Sequence, residues 1–272
     1  MLDKLNHSNE LIRAAAIKNL NKLNIENIDH NIISKIKTLM KDPTSSVRAS
    51  IFEFFAKIGN FKKLSLPILP FLDGLIDIDK NLRNSSVLAL EKYFSEEPDS
   101  LDIDLIIKKV EPNNTEVLSS VLTLLGRLWE KDPKKILTTL LIFIKFDNDQ
   151  LKDSISKILV EKYTTSPDLI FDNLIKITDV SKYITKGIIS MTIINLCTKN
   201  PKIVIPKLIN CLNSDNEDIR MNAIISLEGI IDNFIDLIEV KPFLVVLQKD
   251  TNSQIKKEAS KILSNFTNST KP

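Results

Sequence analysis

The sequence predicts an all-α fold, an α-α superhelix of stacked helical hairpins, and three observations carry that prediction. A short polar-apolar-basic grammar recurs on a fixed beat. The residues after each recurrence are small or apolar at helical spacing. Only five glycines occur in 272 residues, and no strand-like alternation interrupts the pattern.

The grammar is first seen in Asn9-Glu10-Leu11-Ile12-Arg13-Ala14-Ala15-Ala16-Ile17, where polar residues precede an apolar anchor, a base, and an apolar run. It returns at Val47-Arg48-Ala49, at Leu82-Arg83-Asn84 and at Ile219-Arg220-Met221, with weaker copies at Val117, Leu151, Ile184 and Ile255. The anchors Ile12, Val47, Leu82, Val117, Leu151, Ile184, Ile219 and Ile255 are therefore 35, 35, 35, 34, 33, 35 and 36 residues apart. About seven to eight repeats of ~35 residues result.

Each anchor opens a helix with a buried stripe, such as Val47, Ile51, Phe54, Phe55 and Ile58 in the second copy. Between stripes lies another amphipathic run, as in Ile32, Ile33, Ile36, Leu39 and Met40, so the unit is two helices. Prolines behind polar residues, at Glu97-Pro98, Asp132-Pro133, Ser166-Pro167 and Asn200-Pro201, are expected to open first helices. One pair cannot bury its own stripe, so neighbouring pairs must stack. With no Gly- or Ser-rich linker in view, residues 1–266 read as a single solenoid with a truncated first repeat, and 267–272 as a polar tail.

Composition removes several functions. Scattered glycines cannot build a phosphate loop or a nucleophile elbow, and two His and two Cys lack any metal-ligand spacing, so no cofactor, metal or enzyme activity is expected. A net charge of +2 advertises no strong nucleic-acid field. The N-terminus lacks a signal-peptide core, and the apolar stretches 136–146 and 184–197 fall short of a bilayer span. Cysteine usage suits a reducing compartment, and a cytoplasmic location is expected.

A tandem of such pairs, whose second helix opens with a polar turn, a branched residue, a base and then a small residue, resembles the HEAT-repeat family (ARM-like α-solenoids) over nearly the whole chain. The family motif places an Asp six residues before the base, matched here by Asp42 and Arg48, Asp77 and Arg83, and Asp250 and Lys256. The resemblance implies that these side chains form a structural ladder between layers, interrupted where Leu118 and Thr185 replace the base. It also implies a right-handed array that docks macromolecules on its second helices.

Ten residues after successive anchors stand Lys22, Lys57, Lys92 and Arg127, with Lys18 one turn before Lys22. This basic ladder is the candidate partner-binding row, able to attract an acidic segment or simply solvate a flank of each helix. Trp129, the sole tryptophan, is read as packing rather than as a base-stacking platform, and Cys197 and Cys211 as core residues. The helix after Ile184 carries Ile188, Ile189, Met191, Ile193 and Ile194 and leaves little polar face. The expected function is a non-catalytic protein–protein scaffold or adaptor for an extended or helical partner. The alternative is a nucleic-acid-associated protein of the same kind, condensin-like or resembling the alkylation-repair glycosylases.

Overall fold

The computed structural model describes all residues except 21, 24–27, 101, 112–113, 145, 147, 178–182, 231–236 and 270–272. Among the described residues every regular element is helical. In chain order they are α1 (Leu2–Leu5), α2 (Glu10–Leu20), α3 (His30–Leu39), α4 (Ser45–Ile58), α5 (Leu69–Leu75), α6 (Lys80–Glu96), α7 (Ile103–Lys108) and α8 (Thr115–Arg127). They continue with α9 (Pro133–Phe143), α10 (Asp149–Lys162), α11 (Pro167–Ile175), α12 (Tyr183–Lys199), α13 (Pro201–Cys211), α14 (Glu217–Glu228), α15 (Leu237–Leu247) and α16 (Ser253–Ser269). Two compact units are formed, Met1–Leu140 and Leu141–Pro272.

Local chemistry starts the helices where the grammar expects. Asp79 caps α6 by accepting from the Leu82 amide at 2.8 Å, Asn114 caps α8 through Val117, and Asn148 caps α10 through Leu151. Pro167 and Pro201 stand in the first turns of α11 and α13, where a missing amide proton costs nothing. Pro133 is the first residue of α9. Pro98 departs from expectation, opening only the 3-10 turn Pro98–Ser100. The first helix of that pair, α7, begins at Ile103 behind the Asp102 cap, which accepts from the Leu105 amide.

In the first unit, second helices pack on second helices: α2 on α4, α4 on α6, α6 on α8. An aromatic cluster locks the middle of this stack, with Phe71 of α5 meeting Phe52 at 4.8 Å and Phe55 edge-on at 6.3 Å between centroids. Phe61 completes it, touching both Phe71 and Tyr93. In the second unit, α10 packs on α12, α12 on α14, and α14 on α16. There buried Asn222 of α14 donates to the carbonyls of Ile175 and Ile177 at 3.0 and 3.2 Å, giving the last carbonyl of α11 and one just beyond it the partners a helix end lacks.

Most anchors are buried, including Val47, Leu82, Val117, Leu151 and Ile255. Ile12 is not; it is 37% exposed. The side chain of Ile184 lies outside the described residues. On α12, Ile189 and Ile193 are buried while Met191 is 56% exposed, so that helix does present an apolar residue to solvent.

Candidate partner-binding site on the second helices

Stacking is registered by charged side chains at the start of several second helices. Arg13 clamps Asp42 through two contacts, Nε to Oδ2 at 2.8 Å and Nη2 to Oδ1 at 2.9 Å. Arg48 reaches Asp77 at 2.8 Å, and Arg220 clamps Asp250 at 2.7 and 3.1 Å. Each joins one layer to the next.

The six-residue interval has a different job. Arg48 Nη1 donates to the backbone carbonyls of Asp42 and Pro43, and Arg83 Nη1 to those of Asp77 and Ile78. Each arginine therefore fastens its own turn through carbonyls, while the aspartate in that turn offers its carboxylate to the preceding layer. That carboxylate also accepts an amide two residues on: Asp42 from Thr44, Asp77 from Asp79, Asp250 from Asn252.

Arg83 departs from this plan. Its Nη2 meets Glu116 at 2.6 Å, a carboxylate from the first turn of α8, and its buried Nε has no partner among the described residues. Lys256 is exposed, and the carboxylate six residues before it is taken by Arg220. Lys152, at the base position of α10, is buried with Nζ 3.5 Å from Asp149. Arg13, Arg220 and Glu116 are ladder members that the six-residue rule does not select, since their partners sit about 30 residues away in sequence.

The electrostatics follow the geometry. Burial works to raise the Asp42 carboxyl, but the hydrogen bonds from Arg13 and Thr44 outweigh it and hold it below the usual range. Asp250 is held low chiefly by Arg220, and the Arg13 and Arg220 guanidinium groups are raised in turn.

The other flank of the second helices carries a shallow groove. One depression of about 450 Å³ is lined by Glu53, Ala56, Lys57, Leu88, Glu91 and Lys92. A second, of about 400 Å³, shares Glu53 and Leu88 and continues past Lys18, Ser46, Asn81 and Asn84. Leu88, 41% exposed, sits where they meet.

The row Lys18, Lys22, Lys57, Lys92 and Arg127 lies on exposed or half-exposed parts of this unit, but not as an unopposed basic line. Arg127 pairs with Glu91 at 2.6 Å and Lys92 with Glu96 at 3.2 Å. Glu53 sits one turn before Lys57 in the groove wall. These acids lie one residue or one turn from the bases they oppose, or one layer away, and the sequence carried that signal in Glu53-Lys57 and Lys92-Glu96 spacing.

The groove hydroxyls are occupied. Ser50 donates to Ser46 O, and Ser85 to Asn81 O with a second contact to Glu53. Trp129 is fully buried just after α8. Cys197 is buried and its thiol is pushed up to about 12 by desolvation, while Cys211 is half-buried and raised by the same cause. Among the described residues no group of His, Cys, Asp and Glu could hold a metal, and no helix is long and apolar enough to cross a membrane.

Residues 204–234 match the family described as HEAT repeat, a stretch that covers most of α13 and all of α14. No curated protein matches the sequence. Among solved structures, an engineered protein aligns over 97% of this chain and 77% of its own at 14% identity, with a TM-score of 0.41. Kap121p aligns over 93% of this chain at 13% identity, with TM-scores of 0.49 for Kap121p and 0.51 for Kap121p bound to Pho4p. This chain spans 31% of the length of Kap121p. Residues 204–234 thus match a HEAT repeat, within a fold of helical hairpins stacked through their second helices, the arrangement of α-solenoid proteins.

Proposed function

We propose that the protein is a non-catalytic interaction scaffold that binds a partner protein segment along the groove of α4 and α6. The observation that carries this reading is the continuous depression around Leu88, walled by charges of both signs and floored by the small residues Ala49 and Ala56. An apolar side chain of the partner covers Leu88, and its flanking charges find the lysines Lys18, Lys57 and Lys92 and the acids Glu53 and Glu91 interleaved along the groove. An acidic partner stretch engages the lysines after displacing the intramolecular acids. The similarity in fold to Kap121p, seen with the protein Pho4p bound, is in keeping with a protein partner. A reducing, cytoplasmic setting suits the two free thiols.

The test is parallel affinity purification with the natural protein, Leu88→Arg, and Lys57→Glu with Lys92→Glu, read by quantitative mass spectrometry. Proteins recovered by the natural chain are expected to drop at least tenfold with Leu88→Arg while the circular dichroism spectrum is unchanged. Recovery indifferent to all three substitutions, or tight binding of labelled DNA at low salt, overturns the reading.

A further inference from the structure

The rung at Arg83 is incomplete. In the intact rungs the Nε and Nη2 edge of the guanidinium receives an aspartate from the next layer: Arg13 takes both oxygens of Asp42, and Arg220 both oxygens of Asp250. At Arg83 the next layer carries Pro112 at the aspartate's place in the sequence, and proline has no carboxylate to offer. One oxygen of Glu116 reaches Nη2 instead. Nε stays buried without an acceptor among the described residues, on a side chain only 4% exposed. A buried guanidinium N–H in that state forfeits a charge-assisted hydrogen bond.

Arg83 lines a cleft of about 520 Å³ between the turn that opens α6 and the turn that opens α8, together with Ile76, Ile78, Glu111, Asn114 and Glu116. No residue of this cleft lines the groove around Leu88. The Glu116 side chain is 73% exposed and, among the described residues, is held by its single contact with Arg83. Turning it into water clears the edge of the guanidinium.

We propose that this cleft binds an aspartate side chain presented on a turn of a partner protein, its two oxygens taking Nε and Nη2 of Arg83 as Asp42 does on Arg13, while Glu116 swings out. Complementarity selects that occupant. Two parallel N–H groups on one guanidinium edge match a planar carboxylate. The first-turn amides of α8, a helix of 13 residues, add a positive field beside it. Glu111 and Glu116 in the wall oppose the second charge of a phosphate, so a single carboxylate is favoured. Ile78, 92% exposed, offers an apolar wall to the residues flanking the aspartate.

Proton–nitrogen correlation spectra of the arginine Nε–Hε groups in the full chain test this. The probe is the blocked hexapeptide Met-Lys-Asp-Pro-Thr-Ser, a copy of residues 40–45, the turn that serves Arg13. The Arg83 signal is expected to move saturably with a dissociation constant on the order of 1 mM, while the signals of Arg13 and Arg220, whose edges are filled, stay in place. Glu116→Gln is expected to tighten binding about threefold or more by removing the competing carboxylate. The same peptide with Asn in place of Asp, and inorganic phosphate, are expected to leave the Arg83 signal where it was. An Arg83 signal unmoved by the peptide at about 20 mM overturns the proposal. So does an equal response to the Asn peptide or to phosphate, an equal response at Arg13 and Arg220, or a Glu116→Gln chain that binds no more tightly.

Discussion

Arg13 and Asp42, 29 residues apart, meet as a two-pronged ion pair in which the aspartate side chain is 3% exposed and the arginine side chain 12%. Arg220 and Asp250 repeat it at a separation of 30. The contact belongs to no single hairpin; it exists only once two layers are stacked.

Removing one member leaves the other buried with its charge unmatched. Asp42→Ala is expected to destabilise the protein by about 3 kcal/mol, and the double change Arg13→Met with Asp42→Leu by markedly less, because no charge is then stranded. Urea unfolding of the natural protein and the two variants checks this. A double variant as unstable as Asp42→Ala refutes it.

The acid limb of stability follows from the same carboxylates. Asp42, Asp250 and Glu96 hold their protons more weakly folded than unfolded. Their stabilisation is therefore complete above the ordinary carboxylate range, about pH 4, and is lost as the pH falls through their lower folded values. The thermal midpoint is expected to drop steeply below about pH 4, and Asp42→Asn with Asp250→Asn to flatten that drop while lowering the midpoint at pH 7.

Gly59 and Glu96 form another junction. Gly59 ends α4 at φ +63°, beyond the comfort of a side chain, and a Cβ there would collide with the Glu96 carboxylate. That carboxylate accepts the Phe61 amide at 3.0 Å. Gly59→Ala is expected to cost about 1–2 kcal/mol and to speed hydrogen exchange at the Phe61 amide. Unaltered exchange there would show the contact to be dispensable.

The two thiols should differ in reactivity. With Cys197 buried and its thiol raised to about 12, labelling by a disulfide reagent at pH 8 is expected only after denaturation. Half-buried Cys211 is expected to react first in the native protein, more slowly than a free thiol. Mass spectrometry of the labelled peptides decides the order.

The ladder obeys a rule across layers that inspection of one layer hides. Where the base is lost at Thr185, the matching position one layer on is Ser214 rather than Asp; for Leu118 the position six before the next base is Phe146, with Asp147 next to it in the sequence. Lys152 retains the base, and Asp179 stands at the matching place in the sequence, outside the described residues. Arg83 is the exception, with Pro112 at that place; Glu116 serves it from one turn later. A carboxylate borrowed at a different angle reaches Nη2 and leaves Nε unserved.

The 35-residue beat, the paired helices and their second-helix stripes were legible because helical periodicity, caps and prolines act between residues only a few positions apart. The basic row was legible too, and its acids sat beside it at helical spacing. Its neutralisation was not, because Arg127 finds Glu91 only when α8 lies along α6. Nor was the reach of Asn222 to Ile175 and Ile177, 47 and 45 residues away.

By itself the sequence determined the repeat, the helices and which residue types open each one, since those depend on local sterics and capping. Only the tertiary structure decided which carboxylate each guanidinium meets, that Ile12 stays in water while Val47 does not, and where the second helices leave a groove. Those outcomes depend on a neighbouring layer, and a chain specifies its neighbours through contacts some 30 residues away that local spacing cannot express.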